Sequence, residues 1–106
     1  MKGAAEVVVL QALHTSKAYG YELVSRIERT SNGIFELQEG TIYPLLYRLE
    51  DRGDIVSHKQ ATPQGKERRY YEITAQGKKQ LQKSTKEYAH FITGLQRVLH
   101  LSYAKI

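Results

Sequence analysis

The segment 41–52 carries side chains whose types and spacing could bind an anion. If this segment is helical, one stripe of its surface contains Thr41, Pro44, Arg48 and Arg52. Arg48 and Arg52 stand at i and i+4, a like-charge pair that costs an isolated helix about 0.2–0.5 kcal/mol. A phosphate close to the pair would remove that cost. The acids that could pair with these arginines instead are Glu50, Asp51 and Asp54.

No group of residues in the sequence suggests catalysis. The sequence contains no phosphate-binding loop, no Gly-x-Ser-x-Gly nucleophile turn and no paired carboxylates with catalytic spacing. It has no cysteine, and the histidines, at positions 14, 58, 90 and 100, lack the spacing of metal ligands. We therefore predict that the protein is not an enzyme and holds neither a metal nor a cofactor.

The net charge of +5 over 106 residues suits an anionic partner such as DNA, but it also suits many proteins that bind nothing charged. The distribution of charge is more informative, because the stretch 57–69 carries four basic residues against one acid. The length fits one globular domain with a small core, so a partner protomer that covers more apolar surface would add stability. We therefore expect a homodimer.

The N-terminal apolar run, 4–13, is interrupted by Glu6 and Gln11 and has no small-residue cleavage site. It therefore predicts neither a signal peptide nor a membrane span. The absence of cysteine fits a reducing compartment. We expect a soluble, cytoplasmic protein without a membrane partner.

Apolar residues at helical spacing predict a first helix in the same run. The residues that follow the i, i+3, i+4, i+7, i+8 pattern are Ala5, Val8, Val9, Ala12 and Leu13. Val7 and Leu10 lie on the opposite side, facing away from the core, so this helix should be covered on two sides. The β-branched run 7–9 leaves a strand as the alternative.

A second helix is predicted over 20–30, with Glu22 paired to Arg26 at i+4 on its outer side. Its buried residues should be Leu23, Val24 and Ile27. It should end at Asn32 and Gly33, because glycine accepts the left-handed backbone of a helix end.

A third helix is predicted over 41–52, ending at Gly53. Its buried residues should be Ile42, Leu45, Leu46 and Leu49. Pro44 has no N–H to donate, so we expect it in the first turn of a helix that begins close to Thr41.

Alternating apolar and polar residues at 55–59 and 69–73, with turn formers at 62–65 between them, predict a β-hairpin with a basic tip. Thr74 is a suitable N-cap for a last helix of about 27 residues, about 40 Å long. The apolar stripe of that helix comprises Leu81, Thr85, Tyr88, Phe91, Ile92, Leu95, Val98 and Leu99. The predicted fold is mainly α with a β-hairpin: a winged helix-turn-helix domain over 1–75 and a C-terminal dimerisation helix over 76–106.

Three blocks of the sequence resemble the PadR family of transcriptional regulators, in its short form with a single C-terminal helix. The blocks are Tyr19-Gly20-Tyr21-Glu22-Leu23, then Gly40-Thr41-Ile42-Tyr43-Pro44 with Leu49-Glu50-Asp51-Arg52-Gly53, and finally Arg68-Arg69-Tyr70-Tyr71 leading through Ile73-Thr74 to Gly77. The resemblance implies a sequence-specific DNA-binding regulator, a repressor that a small hydrophobic or phenolic effector could release. The alternative is a winged-helix protein-interaction module without sequence-specific DNA binding.

The resemblance also implies roles for particular residues in binding double-stranded DNA. In a helix-turn-helix the start of the recognition helix reaches base edges, which here implicates Thr41 and Pro44. The other expected DNA contacts are Tyr21, Tyr43, Arg48, Gly65 and Lys66. The structural alternatives are Thr41 as a helix cap, Pro44 as a helix start, Tyr43 as packing, Arg48 as a partner of nearby acids, and Lys66 with Gly65 as a solvated basic loop. Glu39 departs from the family pattern and would either face away from DNA or contact a cytosine amino group.

The predicted dimer interface joins the last helix to the outward side of the first. Its residues are Val7, Leu10, Tyr88, Phe91, Ile92, Leu95 and Leu99. Two-fold symmetry would place two recognition helices about 34 Å apart, one turn of B-DNA, and would require an inverted-repeat operator. A gap beside Tyr88 and Phe91 could accept a small aromatic effector, and the alternative is a fully packed interface.

Overall fold

The computed structural model of the protein describes residues 1–101, which form four helices and a three-stranded antiparallel sheet. The elements in chain order are α1 (Ala4–Thr15), β1 (Ala18–Tyr19), α2 (Gly20–Thr30), α3 (Glu39–Asp51), β2 (Ile55–Ala61), β3 (Glu67–Ile73) and α4 (Ala75–Leu99). The predicted fold, three helices and a hairpin followed by one long helix, is confirmed. Within residues 1–101, every helix is too short or too polar to span a bilayer.

α1 is a helix and is covered on more than one side, as predicted. α2, α4 and β3 all pack against it. Leu10 is only 1% exposed and belongs to the core of the protomer. The expectation that Leu10 faces away from the core toward a partner is therefore wrong. Val7 is half-buried at the edge of the core.

The bounds of α2 were predicted correctly, but the pairing of Glu22 with Arg26 was not. The Glu22 carboxylate accepts a hydrogen bond from the Tyr19 N–H at 3.2 Å, because the first N–H groups of a helix lack partners within the helix. Arg26 donates to the carbonyl oxygens of Ala12 and Ser16, at 2.8 and 2.7 Å. It thereby satisfies backbone acceptors at the end of α1.

α3 buries the four predicted residues and ends before Gly53, whose φ is +82°. It begins at Glu39, two residues earlier than expected, so Pro44 lies in the second turn. The Gly40 carbonyl therefore lacks the helical donor that any other residue at position 44 would supply. Because Gly40 and Pro44 are both exposed, solvent can satisfy that carbonyl.

The sheet contains a strand that the sequence pattern did not indicate. β1 has two residues and pairs with β3, Ala18 opposite Tyr71 and Tyr19 opposite Tyr70. Two residues are too few to show alternation, so only the tertiary pairing reveals the strand. The strands β2 and β3 each extend two residues further toward the wing tip than predicted.

α4 begins after Thr74, whose side chain accepts a hydrogen bond from the Gly77 N–H at 3.0 Å as expected for an N-cap. The helix has 25 residues rather than about 27. Gly77, Leu81 and Ser84 are buried in its first half, whereas its second half extends past the core. The division into 1–75 and 76–106 stays a prediction, and its last five residues lie outside the described part of the chain.

Candidate nucleic-acid interface

The side of α3 opposite its buried residues forms an exposed surface, here called the α3 outer face. Its members are Thr41, Pro44, Tyr47 and Arg48. Tyr47 is 55% exposed, and the Arg48 side chain is 61% exposed. Three of these four residues were predicted to contact DNA, and the structure brings them together within two turns.

Arg48 and Arg52, the like-charge pair, both face Glu6 of α1. The Arg52 guanidinium donates to both carboxylate oxygens of Glu6, at 3.4 and 2.9 Å, and lies 3.5 Å from Asp54. Arg48 stands 3.6 Å from the same Glu6 carboxylate. Hydrogen bonding to Arg52 holds the pKa of Glu6 below its ordinary value, and the same bond raises the pKa of Arg52. Of the acids proposed from the sequence, only Asp54 pairs with either arginine. Arg52 is therefore bound by two acids, whereas most of the Arg48 side chain stays exposed.

A cavity of about 510 Å³ opens where α2 begins beside α3 and β3, and is called here the α2–β3 cavity. It is lined by Tyr19, Gly20, Tyr21, Tyr43, Arg68 and Arg69. Tyr21 is 68% exposed, as a phosphate contact requires. Tyr43 is half-buried and packs on Gly20, where an added Cβ would lie 2.6 Å from the Tyr43 hydroxyl oxygen. Tyr43 therefore packs between the two helices and also borders the cavity.

The β3 arginines are held in place at this cavity. The Arg68 guanidinium lies 4.2 Å from the centre of the Tyr19 ring, in a cation–π arrangement. Arg69 donates to the Ser57 hydroxyl at 3.0 Å, and Ser57 donates to the Glu50 carboxylate at 2.6 Å. Two cationic groups are thus fixed beside the first N–H groups of α2, which carry partial positive charge. This cluster of donors can bind an anion such as a phosphate.

The wing tip is a tight turn with an exposed cation. The Thr62 N–H donates to the Lys66 carbonyl at 2.6 Å, and the Lys66 N–H donates to the Thr62 hydroxyl at 3.1 Å. Gly65 has a φ of +83°, a backbone conformation that favours glycine. Lys66 is exposed at the end of the hairpin.

Comparison with known proteins agrees with this geometry. The model of the PadR-like family of transcriptional regulators matches residues 9–83. The chain belongs to this family. Among solved structures, a PadR-like transcriptional regulator from Bacillus cereus superposes with a TM-score of 0.80 at 29% identity, covering 94% of this chain and 95% of that one. A PadR-family regulator from Clostridium difficile gives 0.79 at 27% identity, over 92% and 99%.

An uncharacterised protein of Lysinibacillus sphaericus is 32% identical over 89 residues, which cover 84% of this chain and 82% of the relative. The resemblance drawn from the three sequence blocks is therefore confirmed. Members of the PadR family are transcriptional regulators and not enzymes.

The PadR-family chain also has an apolar groove between α1, α4 and the end of α2, of about 780 Å³, called here the α1–α4 groove. Its apolar walls include Val7, Val8, Phe35, Leu81, Tyr88 and Ile92. The Tyr88 hydroxyl donates to the Lys2 carbonyl, and its ring meets Phe91 edge-on at 6.4 Å. Leu95 and Leu99, also predicted for the interface, lie further along α4, where they are 39% and 56% exposed.

Three residues near these surfaces were given no specific role by the sequence. Arg68 and Arg69 entered the sequence analysis only within the basic stretch 57–69 and the third resemblance block, because the pairing of β1 with β3 that places Arg68 on Tyr19 was not predicted. Phe35, in the α2–α3 connection, is 42% exposed and lines the α1–α4 groove. An apolar aromatic residue in a connecting loop could have indicated a contact surface.

Proposed function

We propose that the protein is a dimeric repressor that binds a specific inverted-repeat DNA sequence in the cytoplasm. The observation that carries the proposal is the α2–β3 cavity, where α2, α3 and β3 meet. There Arg68, Arg69 and the first N–H groups of α2 can hold one phosphate of the backbone. A phosphate at that position would fix the register of the neighbouring α3 outer face on the major groove.

The proposed base contacts come from the first half of α3. Thr41 offers a hydroxyl to a base edge or phosphate, and the exposed Pro44 ring can lie against a thymine methyl group. Arg48 has an exposed guanidinium for a phosphate or a guanine. The Tyr21 hydroxyl donates a hydrogen bond to a phosphate. Tyr43 packs between α2 and α3 and so holds the two helices together.

The wing adds a contact outside the major groove. Lys66 projects from a turn in which Gly65 lets the backbone approach closely, so the tip can reach a phosphate or the minor groove. Glu39 is exposed in the first turn of α3, where the helix dipole stabilises a carboxylate. We expect it to accept a hydrogen bond from a cytosine amino group, because against a phosphate it would reduce affinity.

The dimer is proposed from the apolar surface that the protomer leaves uncovered. Phe91, Ile92 and Leu95 of α4 are 39–46% exposed, and they continue the stripe that lines the α1–α4 groove. A second copy can cover both surfaces by packing its own α4 against α1 and α4 of the first. Val7 belongs to this interface, and Leu10 does not.

The proposed release of DNA by a small aromatic compound uses the same groove. A ligand seated beside Tyr88 and Phe91 would contact both protomers and could change the angle between them. The test measures operator affinity with and without phenolic acids and planar cationic drugs. A screen in which no compound changes either the affinity or the melting temperature would contradict the effector.

Selection of bound fragments from a random DNA library tests the DNA-binding function. The expected result is an inverted repeat whose half-sites lie about one helical turn apart, about 10 base pairs. Placing that sequence in a reporter promoter should then lower transcription when the protein is expressed. If no sequence is enriched, the protein is better explained as a winged-helix protein-interaction module.

A further inference from the structure

Four polar side chains from distant parts of the chain meet where α3 ends. They are Glu6 of α1, Arg52 and Asp54 of the turn after α3, and Gln76 of α4, called here the Glu6 cluster. The Gln76 side chain donates to the Arg52 carbonyl at 2.6 Å and to the Asp54 carboxylate at 3.1 Å. The cluster therefore connects α1, the end of α3 and the start of α4.

Burial and close packing constrain the two acids of the cluster, whereas Arg52 and Gln76 reach them from exposed positions. Glu6 is 9% exposed and Asp54 3%, and charged groups taken out of water are tolerated only with well-placed partners. A Cβ added at Gly77 would lie 2.0 Å from the Asp54 carbonyl oxygen, so the backbone of α4 touches the turn directly. The Thr74 hydroxyl donates to the Gly53 carbonyl at 2.7 Å.

This position matters because the two ends of α3 have different neighbours. The N-terminal half carries the proposed base contacts Thr41 and Pro44. The C-terminal end is held by the Glu6 cluster against α1 and α4, the two helices that carry the proposed dimer surface. The distance between the two α3 helices of a dimer therefore depends on this connection.

We propose that Glu6 is a positioning residue, which anchors the end of α3 to the dimer-forming helices and so sets the half-site spacing that the protein accepts. The proposal rests on the proposed function. A forked hydrogen bond from Arg52 to both oxygens of Glu6 fixes an angle as well as a distance. Without it, α3 can move relative to the two-fold axis.

Because Glu6 is charged, its effect on the position of α3 can be distinguished from its electrostatic effect on DNA binding. The Glu6 carboxylate balances Arg52 and stands 3.6 Å from Arg48, whose side chain is exposed on the α3 outer face. Removing the negative charge should strengthen binding to any DNA, because more net positive charge faces the phosphates. Loss of positioning should instead weaken binding to the correctly spaced operator, so the two effects have opposite signs.

The experiment compares Glu6→Gln with Glu28→Gln, which removes the same charge from an exposed position of α2. Affinities are measured for the selected operator, for versions with one base pair added or removed between half-sites, and for an unrelated duplex. We expect Glu6→Gln to reduce the preference for the correct spacing by about 2- to 30-fold, with equal or stronger binding to the unrelated duplex. Glu28→Gln should keep the wild-type preference.

A folded Glu6→Gln variant that keeps the wild-type spacing preference would overturn the proposal, even if it melts at a lower temperature. If Glu6→Gln does not fold, Arg52→Lys takes its place, because lysine keeps the charge and loses the forked geometry. Unchanged spacing preference in folded Arg52→Lys would also overturn it. If the wild-type protein itself selects no operator, the proposed function fails, and the positioning role fails with it.

Discussion

Gly20, the first residue of α2, and Tyr43 of α3 approach each other more closely than any side chain at position 20 would allow. A Cβ added at Gly20 would lie 2.6 Å from the hydroxyl oxygen and 2.8 Å from the Cζ atom of Tyr43. The contact therefore couples the start of α2 to α3, the two helices of the helix-turn-helix. Tyr43 and Gly20 also share the α2–β3 cavity, so the same contact shapes the proposed phosphate site.

Gly20→Ala should force the Tyr43 ring to move and should lower the free energy of unfolding by about 1–3 kcal/mol, the usual range for overpacking. In a Tyr43→Ala background the same change should be neutral or stabilising, because the clash is gone and alanine favours the helix. Denaturant unfolding of the four proteins in this cycle measures the coupling. Equal effects of Gly20→Ala in both backgrounds would contradict the contact.

Gly40→Ala is the matched control for this prediction. Gly40 is also near the start of a helix, but a Cβ there meets nothing within 4 Å. We expect Gly40→Ala to raise the free energy of unfolding by up to about 1 kcal/mol.

The sequence predicted the elements of this fold well because each long element has a repeating apolar pattern. α2 and the buried side of α3 follow directly from such patterns. The outward orientation assigned to Leu10 failed because residue spacing cannot show that three other elements pack around α1. Asp54 was among the acids proposed for Arg52, but its closer partner Glu6 was missed for a similar reason, since Glu6 lies 46 residues away in the sequence. The α3 outer face could be predicted locally, whereas the α2–β3 cavity depends on tertiary pairing.

Thr41→Ala should change the sequence preference of the protein, whereas Lys66→Ala should not. If the Thr41 hydroxyl bonds to a base, its removal should cost about 1–3 kcal/mol for the preferred operator and less for other sequences. Lys66→Ala should weaken binding to all sequences and reduce the dependence of affinity on salt by about one released ion. Titrations of both variants on preferred and altered operators, at several salt concentrations, measure these effects. A uniform decrease in affinity for Thr41→Ala would assign this hydroxyl to a phosphate instead.

The contribution of Glu6 to stability should depend on pH. The pKa of Glu6 is below its ordinary value of 4.5 in the folded protein, mainly through the hydrogen bond from Arg52; burial opposes this shift, and the charges of Arg52, Arg48 and Lys2 add to it. A lowered folded pKa means that the stabilisation is complete above pH 4.5 and is lost as the pH falls toward the folded value. Glu6→Gln should therefore be less stable than wild type by about 1.5–3 kcal/mol at pH 7, typical of a charged hydrogen bond.

The measurement is denaturant unfolding of the wild type and Glu6→Gln between pH 3 and 7, taking the difference at each pH so that the titration of other acids cancels. The difference should be constant above about pH 5 and should shrink at lower pH. A difference that grows as the pH falls would mean that the folded protein does not favour the ionised carboxylate.

The double change Ile92→Asp with Leu95→Asp should convert the protein to monomers that bind the operator weakly. In the protomer Ile92 is 44% and Leu95 39% exposed, so most of the effect should fall on association and little on folding. Covering large apolar side chains contributes roughly 1.5–3 kcal/mol each before the cost of ordering, and a carboxylate at the same place would be desolvated without a partner.

Light scattering gives the oligomeric state, and circular dichroism checks that the helices persist. Gln82→Asp with His90→Asp, at exposed polar positions of the same helix, is the matched control and should remain dimeric. A wild-type protein that is monomeric at micromolar concentration would contradict the dimer itself. A double variant that stays dimeric would instead place the interface elsewhere, with the exposed side of α1 around Val7 as the next surface to substitute.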